Sequence, residues 1–364
     1  MKQKKKQSPF EKGKTPFNEL VLKGSIALFI AVVFVGCFVF CGGTQIFEKS
    51  IYVDSYQNYE FQLHTIDVEN GDAFLLRLPE NKTMLIDCGD SQYQDRVVSY
   101  IQQFLRHEGL KQIDYLVLTH SDSDHVGNAS AVIKKFKVKN VYRPKIYAKD
   151  EAQYASTEQS YKTDDSKIYN DAIISAYQNG CNIIFNQEGV SISLNNCTVE
   201  FLSPRLESYA DDNDYSAVIM IKYYSTKLLF MGDASAEIEQ DLILQYGDNL
   251  QADILKVGHH GSKTATSEDF LHAVRPAYAI LSCSENSKIL PHSEVLTRLE
   301  TKQIQVFSTM KLGNFTLTIS ENAVCATGQV SKINFWTIVF SVLLIFVVVM
   351  FKIPFFHKKA LKNL

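Results

Sequence analysis

Four residues with metal-binding side chains follow an apolar run in the stretch DYLVLTHSDSDHVGN, residues 114–128. They are His120, Asp122, Asp124 and His125. Imidazole and carboxylate groups bind Zn²⁺ or Mn²⁺, and residues of one loop can reach such an ion from one side. The same residue types also occur in polar turns that begin a helix, in calcium-binding loops and in DxD sites for sugar nucleotides. The stretch alone therefore leaves several kinds of site open.

A position count excludes the calcium-binding alternative. If Asp122 is the first residue of an EF-hand loop, Gly127 fits the sixth position, but the twelfth position is Ile133 instead of glutamate. The DxD alternative, carried by Asp122 and Asp124, is not excluded by this count.

Two further strand ends carry candidate ligands. Asp233 follows the apolar run LLFMG, and the pair His259 and His260 follows the run DILKVG. A DxD transferase would leave the histidine pair unexplained. A hydrolase with two metals about 3.5–4 Å apart needs several such clusters and a bridging carboxylate, and Asp233 suits that bridge. The joint pattern favours a two-metal hydrolase.

The apolar patterns around these clusters predict the elements that position them. Short β-rich runs alternate with amphipathic helices such as residues 95–110, and the candidate ligands stand where strands end. Residues 216–234 and 304–320 each predict a hairpin. Strand groups and helices occur in two halves, which predicts an α/β fold of four αββα layers, with two packed sheets and helices outside.

Through these residues and their order, the sequence resembles the metallo-β-lactamase superfamily. The pattern of that superfamily is H-x-H-x-D-H followed later by Asp and His. Within that superfamily it resembles the hydrolase domain of ComEC/Rec2-type competence proteins and its stand-alone relatives. The matching segments are TIDVENGDAFLLRLPENKTMLIDCGD, DYLVLTHSDSDHVGN, SAVIMIKYYSTKLLFMGDA and LKVGHHGSKTATSEDFLHAVRPAYAILSCSENS. The resemblance implies a metallo-β-lactamase-like hydrolase domain over residues 58–327.

The resemblance also implies metal-binding roles. His120 would bind a first metal, with Asp122 where many relatives have His, and Asp124 and His125 would bind a second metal. The expected cofactor is one or two Zn²⁺ ions, with Mn²⁺ as an alternative because Asp122 makes the first position richer in oxygen.

The later motifs supply the rest of the implied centre. Asp233 would bridge the metals and His259 would complete the second metal position, with His260 in a supporting or substrate-facing role. The resemblance implies that bound metal activates a water for attack on a carbonyl or phosphoryl centre. Asp124, His260 and Lys263 are the groups predicted to act on the substrate, and Lys263 suits a phosphate oxygen.

Four earlier residues match further positions of the family. Asp87 matches an aspartate that supports the metals, and Asp67, Gly71 and Asp72 match the Asp-Val-x-x-Gly-Asp signature of the competence-protein branch.

One departure from the usual pattern concerns the first metal position. The third histidine of the first metal position is missing, since no histidine occurs between His125 and Asp233. Asn213, Asp214 and Ser216 are the candidates to replace it. A single metal therefore remains an alternative to two.

Both ends of the chain carry apolar runs without charge, residues 24–45 and 333–351, each long enough to cross a hydrocarbon core of about 30 Å as a helix. The flanking residues 1–23 and 352–364 are basic. The positive-inside rule then places both termini in the cytoplasm and residues 58–327 outside the cell membrane. The many-helix channel of full competence proteins is absent from this pattern, so DNA import is not implied.

Composition limits the partners. Residues 50–330 hold 24 Lys and Arg against 37 Asp and Glu, a net charge of −13. This net negative charge disfavours the binding of a polyanion by the domain as a whole, although it does not exclude a local basic groove. Five cysteines in the same region have no CxxC spacing and predict small buried hydrophobic residues.

These observations favour a membrane-anchored hydrolase acting on a phosphodiester or a nucleic-acid-like substrate. The alternatives are an amide or ester hydrolase, including a β-lactamase-like one, and a non-catalytic membrane protein that keeps the fold. A partner protein cannot be predicted from the sequence.

Overall fold

The strands and helices alternate along the chain as the apolar patterns predict. The computed structural model describes residues 60–146, 164–321 and 324–328. The strands are β1 Phe61–Thr65, β2 Phe74–Leu78, β3 Lys82–Ile86, β4 Ile113–Val117, β5 Val138–Arg143, β6 Asn182–Phe185, β7 Ser191–Leu194, β8 Cys197–Ser203, β9 Val218–Tyr223, β10 Thr226–Phe230, β11 Ile254–Lys256, β12 Tyr278–Leu281, β13 Gln305–Ser308, β14 Phe315–Ile319 and β15 Val324–Gly328. The helices are α1 Gln94–His107, α2 Ser123–Val126, α3 Ala129–Lys135, α4 Asp164–Gln178, α5 Ala236–Tyr246, α6 Glu268–Val274, α7 Ser293–Thr301 and α8 Thr309–Leu312.

The strands form two mixed sheets. The first has the order β15-β14-β1-β2-β3-β4-β5-β6, and the second has the order β13-β12-β11-β10-β9-β8-β7. Strands β3 to β6 are parallel in the first sheet, and β10 to β13 are parallel in the second. Because parallel strands end at the same edge of a sheet, the loops after β4, β10 and β11 are placed where side chains from several strands can meet.

Three apolar clusters hold four layers together. Side chains such as Phe74 and Phe230 pack between the sheets, with ring centroids 5.3 Å apart. The outer face of the first sheet packs against α1, α3 and α4, and that of the second packs against α5, α6 and α7. In α1 the buried Val97, Ile101 and Phe104 follow helical spacing, which explains why this face turns inward. The predicted αββα sandwich is confirmed.

The two predicted hairpins have different outcomes. Residues 216–234 form the hairpin of β9 and β10, which is confirmed. The hairpin predicted for residues 304–320 is wrong, because β13 pairs with β12 in the second sheet while β14 pairs with β1 and β15 in the first. Helix α8 separates the two strands, and Gly313, with φ of 64°, turns the chain from one sheet to the other.

The predicted apolar spans at residues 24–45 and 333–351, and the basic segments 1–23 and 352–364, lie outside the described residues. Within the described part of the chain, none of the helices has the length and apolar character needed to cross a membrane. Cys88, Cys181, Cys197 and Cys283 are buried as predicted, whereas Cys325 is exposed.

Candidate metal centre

Three strand ends bring their polar side chains to one place between the sheets. His125 follows β4 in the first sheet, and Asp233 follows β10 in the second. Their closest atoms, Nε2 and Oδ1, are 3.2 Å apart. Together with Asp72 and His260, they form a buried group whose ligand atoms all lie within 4.8 Å of one another. The meeting of these residues is a tertiary contact between the two sheets.

The second metal position of the sequence prediction has the spacing of a tetrahedral site. His260 Nε2 lies 3.1 Å from His125 Nε2, 3.3 Å from Asp233 Oδ2 and 3.4 Å from Asp124 Oδ2. A tetrahedral zinc ion with bonds of 2.0–2.1 Å separates its ligand atoms by about 3.3–3.4 Å. The distances therefore bring His260 into ligand spacing with these atoms, whereas the sequence prediction named His259 for this position.

Hydrogen bonds at the far sides of the rings define which nitrogens face the centre. His125 Nδ1 lies 2.7 Å from Asp87 Oδ2, and His260 Nδ1 lies 3.1 Å from the carbonyl oxygen of Ser282. Since both partners accept hydrogen bonds, Nδ1 carries the proton in each neutral ring and Nε2 keeps its lone pair. Two lone pairs facing each other at 3.1 Å repel unless a cation or a proton lies between them. The donor set fits a divalent cation.

Electrostatic interactions within the group also favour a bound cation. Burial lowers the pKa of His260, but Asp233 and Asp124 outweigh it and raise that pKa to about 9. The pKa of His125 is also raised, against the effect of burial, by Asp233 and Asp87. Conversely, burial would raise the pKa of Asp233, yet His260 and His125 hold it well below its usual range. The carboxylates thus create a strongly negative pocket that stabilises positive charge.

His120 and Asp122, the residues predicted for the first metal position, lie close to each other. His120 is fully buried, its Nε2 lies 3.7 Å from Asp122 Oδ2, and that nitrogen has no hydrogen-bond partner among the described residues. Its Nδ1 lies 3.1 Å from the Thr119 hydroxyl, which donates to Asp87 Oδ2 at 2.6 Å. The hydroxyl oxygen therefore accepts a hydrogen bond from His120 Nδ1. In this tautomer the His120 Nε2 atom carries no proton, and it faces Asp122.

His259 stands beside these residues but is more accessible. Its side chain is 32% exposed, and its Nε2 lies 3.7 Å from Asp233 Oδ2. Burial lowers its pKa, Asp233 opposes that effect, and the neighbouring His260, Lys256 and His120 lower it further. His259 and His125 therefore approach different oxygens of Asp233, Oδ2 and Oδ1 respectively.

Sequence reasoning missed a buried lysine. Lys256, the last residue of β11, pairs through Nζ with Asp72 Oδ2 at 2.5 Å, and the Asp72 Oδ1 atom lies 3.6 Å from His260 Nδ1. Lys256 Nζ also donates to the carbonyl oxygen of Gly232 at 3.3 Å. The available signal was a lysine inside the otherwise apolar run DILKVG. Asp72 had been matched only to a family signature.

The three candidates for the missing histidine support the turn at Asp233. The Ser216 hydroxyl accepts from the Asp233 backbone NH at 3.0 Å, and Asp214 Oδ1 accepts from the Ser235 NH at 3.2 Å. Asn213 belongs to the same 3-10 turn, Asp212–Tyr215.

The remaining predicted residues lie around the centre. Asp67 pairs with Arg96 at 3.5 Å, and a Cβ atom at Gly71, whose φ is 126°, would overlap the carbonyl oxygen of Asp124. Lys263 is exposed on the turn after the histidine pair. On that turn Ser262 and Thr264 share a hydrogen bond of 2.9 Å between their hydroxyls.

Comparison with known proteins identifies the family of this fold. Residues 66–285 match the metallo-beta-lactamase superfamily profile, and the chain belongs to that superfamily. It is 30% identical over 268 residues to ComE operon protein 3 of Bacillus subtilis, covering 70% of this chain and 32% of that protein. It is also 30% identical over 255 residues to Recombination protein 2 of Haemophilus influenzae, covering 70% and 28%. The chain thus spans about a third of the length of these relatives.

Solved structures are similar to this chain at low sequence identity and with TM-scores below 0.5. CmlA, a diiron beta-hydroxylase from Streptomyces venezuelae, is 12% identical with a TM-score of 0.45, over 72% of this chain and 55% of that one. The metallo-beta-lactamase fold protein YhfI from Bacillus subtilis is 13% identical with a TM-score of 0.41, over 68% and 95%.

Proposed function

We propose that the protein is a membrane-anchored, metal-dependent hydrolase of phosphodiester bonds. The observation that carries this proposal is the convergence of His125, His260, Asp124 and Asp233 at the spacing of metal ligands. A divalent cation bound there would lower the pKa of a water molecule and neutralise negative charge on a substrate. The chain itself supplies the ligands, their orientation and the hydrogen-bond acceptor.

Asp124 is the residue suited to accept a hydrogen bond from the attacking water. Its side chain is 33% exposed, unlike the fully buried His125, so it faces the solvent side of the centre. Burial would raise its pKa, but His125 and His260 lower it well below its usual range. The carboxylate is therefore ionised at neutral pH, which is the form that binds a metal ion and accepts a hydrogen bond from water.

The choice of a phosphodiester rests on the turn after the histidine pair and on the relatives. Lys263 is exposed two residues beyond Gly261, where a cation can meet a phosphate oxygen, and the hydroxyls of Ser262 and Thr264 are beside it. The names of the relatives refer to competence and recombination, and recombination acts on a phosphodiester polymer.

The direct test uses the full-length chain in detergent, assayed with bis-p-nitrophenyl phosphate before and after chelator treatment, with nitrocefin in parallel. We expect phosphodiester cleavage that chelation abolishes and metal restores. The double variant Asp124→Ala, His125→Ala should lose at least 100-fold in rate. Full activity in that variant would contradict the proposal, and cleavage of nitrocefin alone would favour the amide or ester alternative.

The proposed orientation has a separate test through Cys325. It is the exposed cysteine of the described residues, on β15 of the domain predicted to face outward. A membrane-impermeant maleimide should label it in intact cells, and Cys325→Ser should abolish that labelling. Labelling only after lysis would contradict the outward orientation.

A further inference from the structure

The two adjacent histidines have an unusual backbone. His259 has φ of 46° and ψ of 50°, and His260 has φ of 50° and ψ of 26°, so both are left-handed. This conformation costs roughly 1–2 kcal/mol for a residue other than glycine and persists only where the surroundings impose it. Packing restrains the turn, since a Cβ atom at Gly261 would lie 2.8 Å from Pro291 Cβ.

The consequence of this backbone is that the two rings diverge. Their centroids are 6.2 Å apart and their planes are inclined by 88°. Both Nε2 atoms nevertheless approach the same oxygen, Asp233 Oδ2, at 3.7 Å for His259 and 3.3 Å for His260. Asp233 Oδ2 therefore lies between two imidazoles that reach it from different directions.

His120 supplies a further unused ligand atom beside this group, since the centroids of the His120 and His125 rings are 4.2 Å apart. The His120 ring is fully buried, its tautomer is set by Thr119, and its Nε2 has no hydrogen-bond partner among the described residues. Asp122 Oδ2 completes the group at 3.7 Å from His120 Nε2.

Within the described part of the chain, no other histidine is positioned to complete this group. The sequence has none between His125 and Asp233. Further along the chain, His272 is exposed on α6, and His292 accepts from the Glu294 NH as the N-cap of α7.

We propose that the tandem histidines are divided between two metal positions. His259 completes the first position with His120 and Asp122, in place of the missing third histidine. His260 serves the second position, and Asp233 Oδ2 bridges the two. The inference rests on the proposed metal centre and adds the assignment of each histidine to one metal.

The two positions should differ in affinity. Ligand atoms around His260 already lie at 3.1–3.4 Å, whereas the contacts of the first position measure 3.7 Å. The first position must contract to reach bonds of about 2.0–2.2 Å, and its Asp122 is 36% exposed. We therefore expect the first position to bind metal at least 10-fold more weakly than the second.

The test is a Co²⁺ titration of the metal-free full-length chain, followed by visible absorption and by metal content after gel filtration. The original chain should bind two equivalents in two phases. His259→Ala and the similarly sized His259→Gln should each retain the tight equivalent and lose the weak one. His260→Ala should lose the tight equivalent. The matched control His272→Ala should bind as the original does, and thermal unfolding of each metal-free variant checks that it folds.

The possible outcomes separate this inference from the proposed function. Two equivalents with unchanged spectra in both His259 variants would overturn the inference. A single equivalent in the original chain would also overturn it, while leaving a one-metal hydrolase in place. Failure of the original chain to bind any Co²⁺ would contradict the proposed function as well.

Discussion

Lys256 Nζ lies 2.5 Å from Asp72 Oδ2 with both side chains buried, so an ion pair joins strand β11 of the second sheet to the β1–β2 loop of the first. This pair fixes the position of Asp72 beside His260. Asp72 keeps its second oxygen, Oδ1, facing that ring at 3.6 Å. A salt bridge that the sequence patterns did not indicate therefore stabilises the centre.

Removing the lysine should leave a buried carboxylate without compensation. Lys256→Met is expected to destabilise the metal-free protein by about 3–5 kcal/mol, the usual cost of breaking a buried pair from one side. Urea unfolding measures this change. The double variant Lys256→Met, Asp72→Asn removes both charges and should recover a large part of the loss. Equal destabilisation in both variants would argue against the pairing.

Asp87 should control metal affinity without binding metal. It accepts from His125 Nδ1 and from the Thr119 hydroxyl, so it orients the rings of both positions. Asp87→Asn is expected to weaken metal binding about 10–100-fold, as measured by competition with a chromophoric chelator. Asp269→Asn, an exposed change on α6, is the matched control. Unaltered affinity in Asp87→Asn would contradict the orienting role.

Gly71 should tolerate no side chain, because its φ is 126° and a Cβ atom would overlap the carbonyl oxygen of Asp124. Gly71→Ala is expected to displace Asp124 and to lower hydrolysis by at least 10-fold. Gly109→Ala is a matched control, since that residue has φ of 68° with open space around it. It should cost only about 1 kcal/mol in stability and leave the rate unchanged. Similar rates in the two variants would exclude the steric argument.

Acid should destabilise the fold through His64. Burial, with a smaller contribution from His107, lowers the pKa of this residue from 6.5 to about 3. Because the folded pKa is depressed, its contribution to stability is present above pH 6.5 and is lost as pH falls from 6.5 towards 3. The loss should reach about 2 kcal/mol at pH 5.

The variant His64→Gln isolates this effect. Urea unfolding at pH 7 and pH 5, in chelator, should show a smaller pH dependence for the variant than for the original chain. Identical pH dependence in the two proteins would contradict the assignment to His64.

Much of the fold was predictable because its signals are local. The helix α1 follows its apolar spacing, and the hairpin of β9 and β10 follows its turn. The error at residues 304–320 has a clear origin, since two β-rich runs around a Gly-Asn sequence are compatible with a hairpin or with a crossing between sheets. Which of these forms depends on the strands already present, β12 on one side and β1 on the other.

By itself the sequence determined the residue types of the centre, their positions at strand ends and the αββα order, because each depends on short-range pattern. Only the tertiary structure decided how His259 and His260 are oriented, because left-handed backbone angles imposed by packing direct the two rings. It also decided the pairing of Lys256 with Asp72, since these residues meet only when the two sheets pack together. Metal-ligand geometry depends on distances between chain segments, and those distances are set by the packed core.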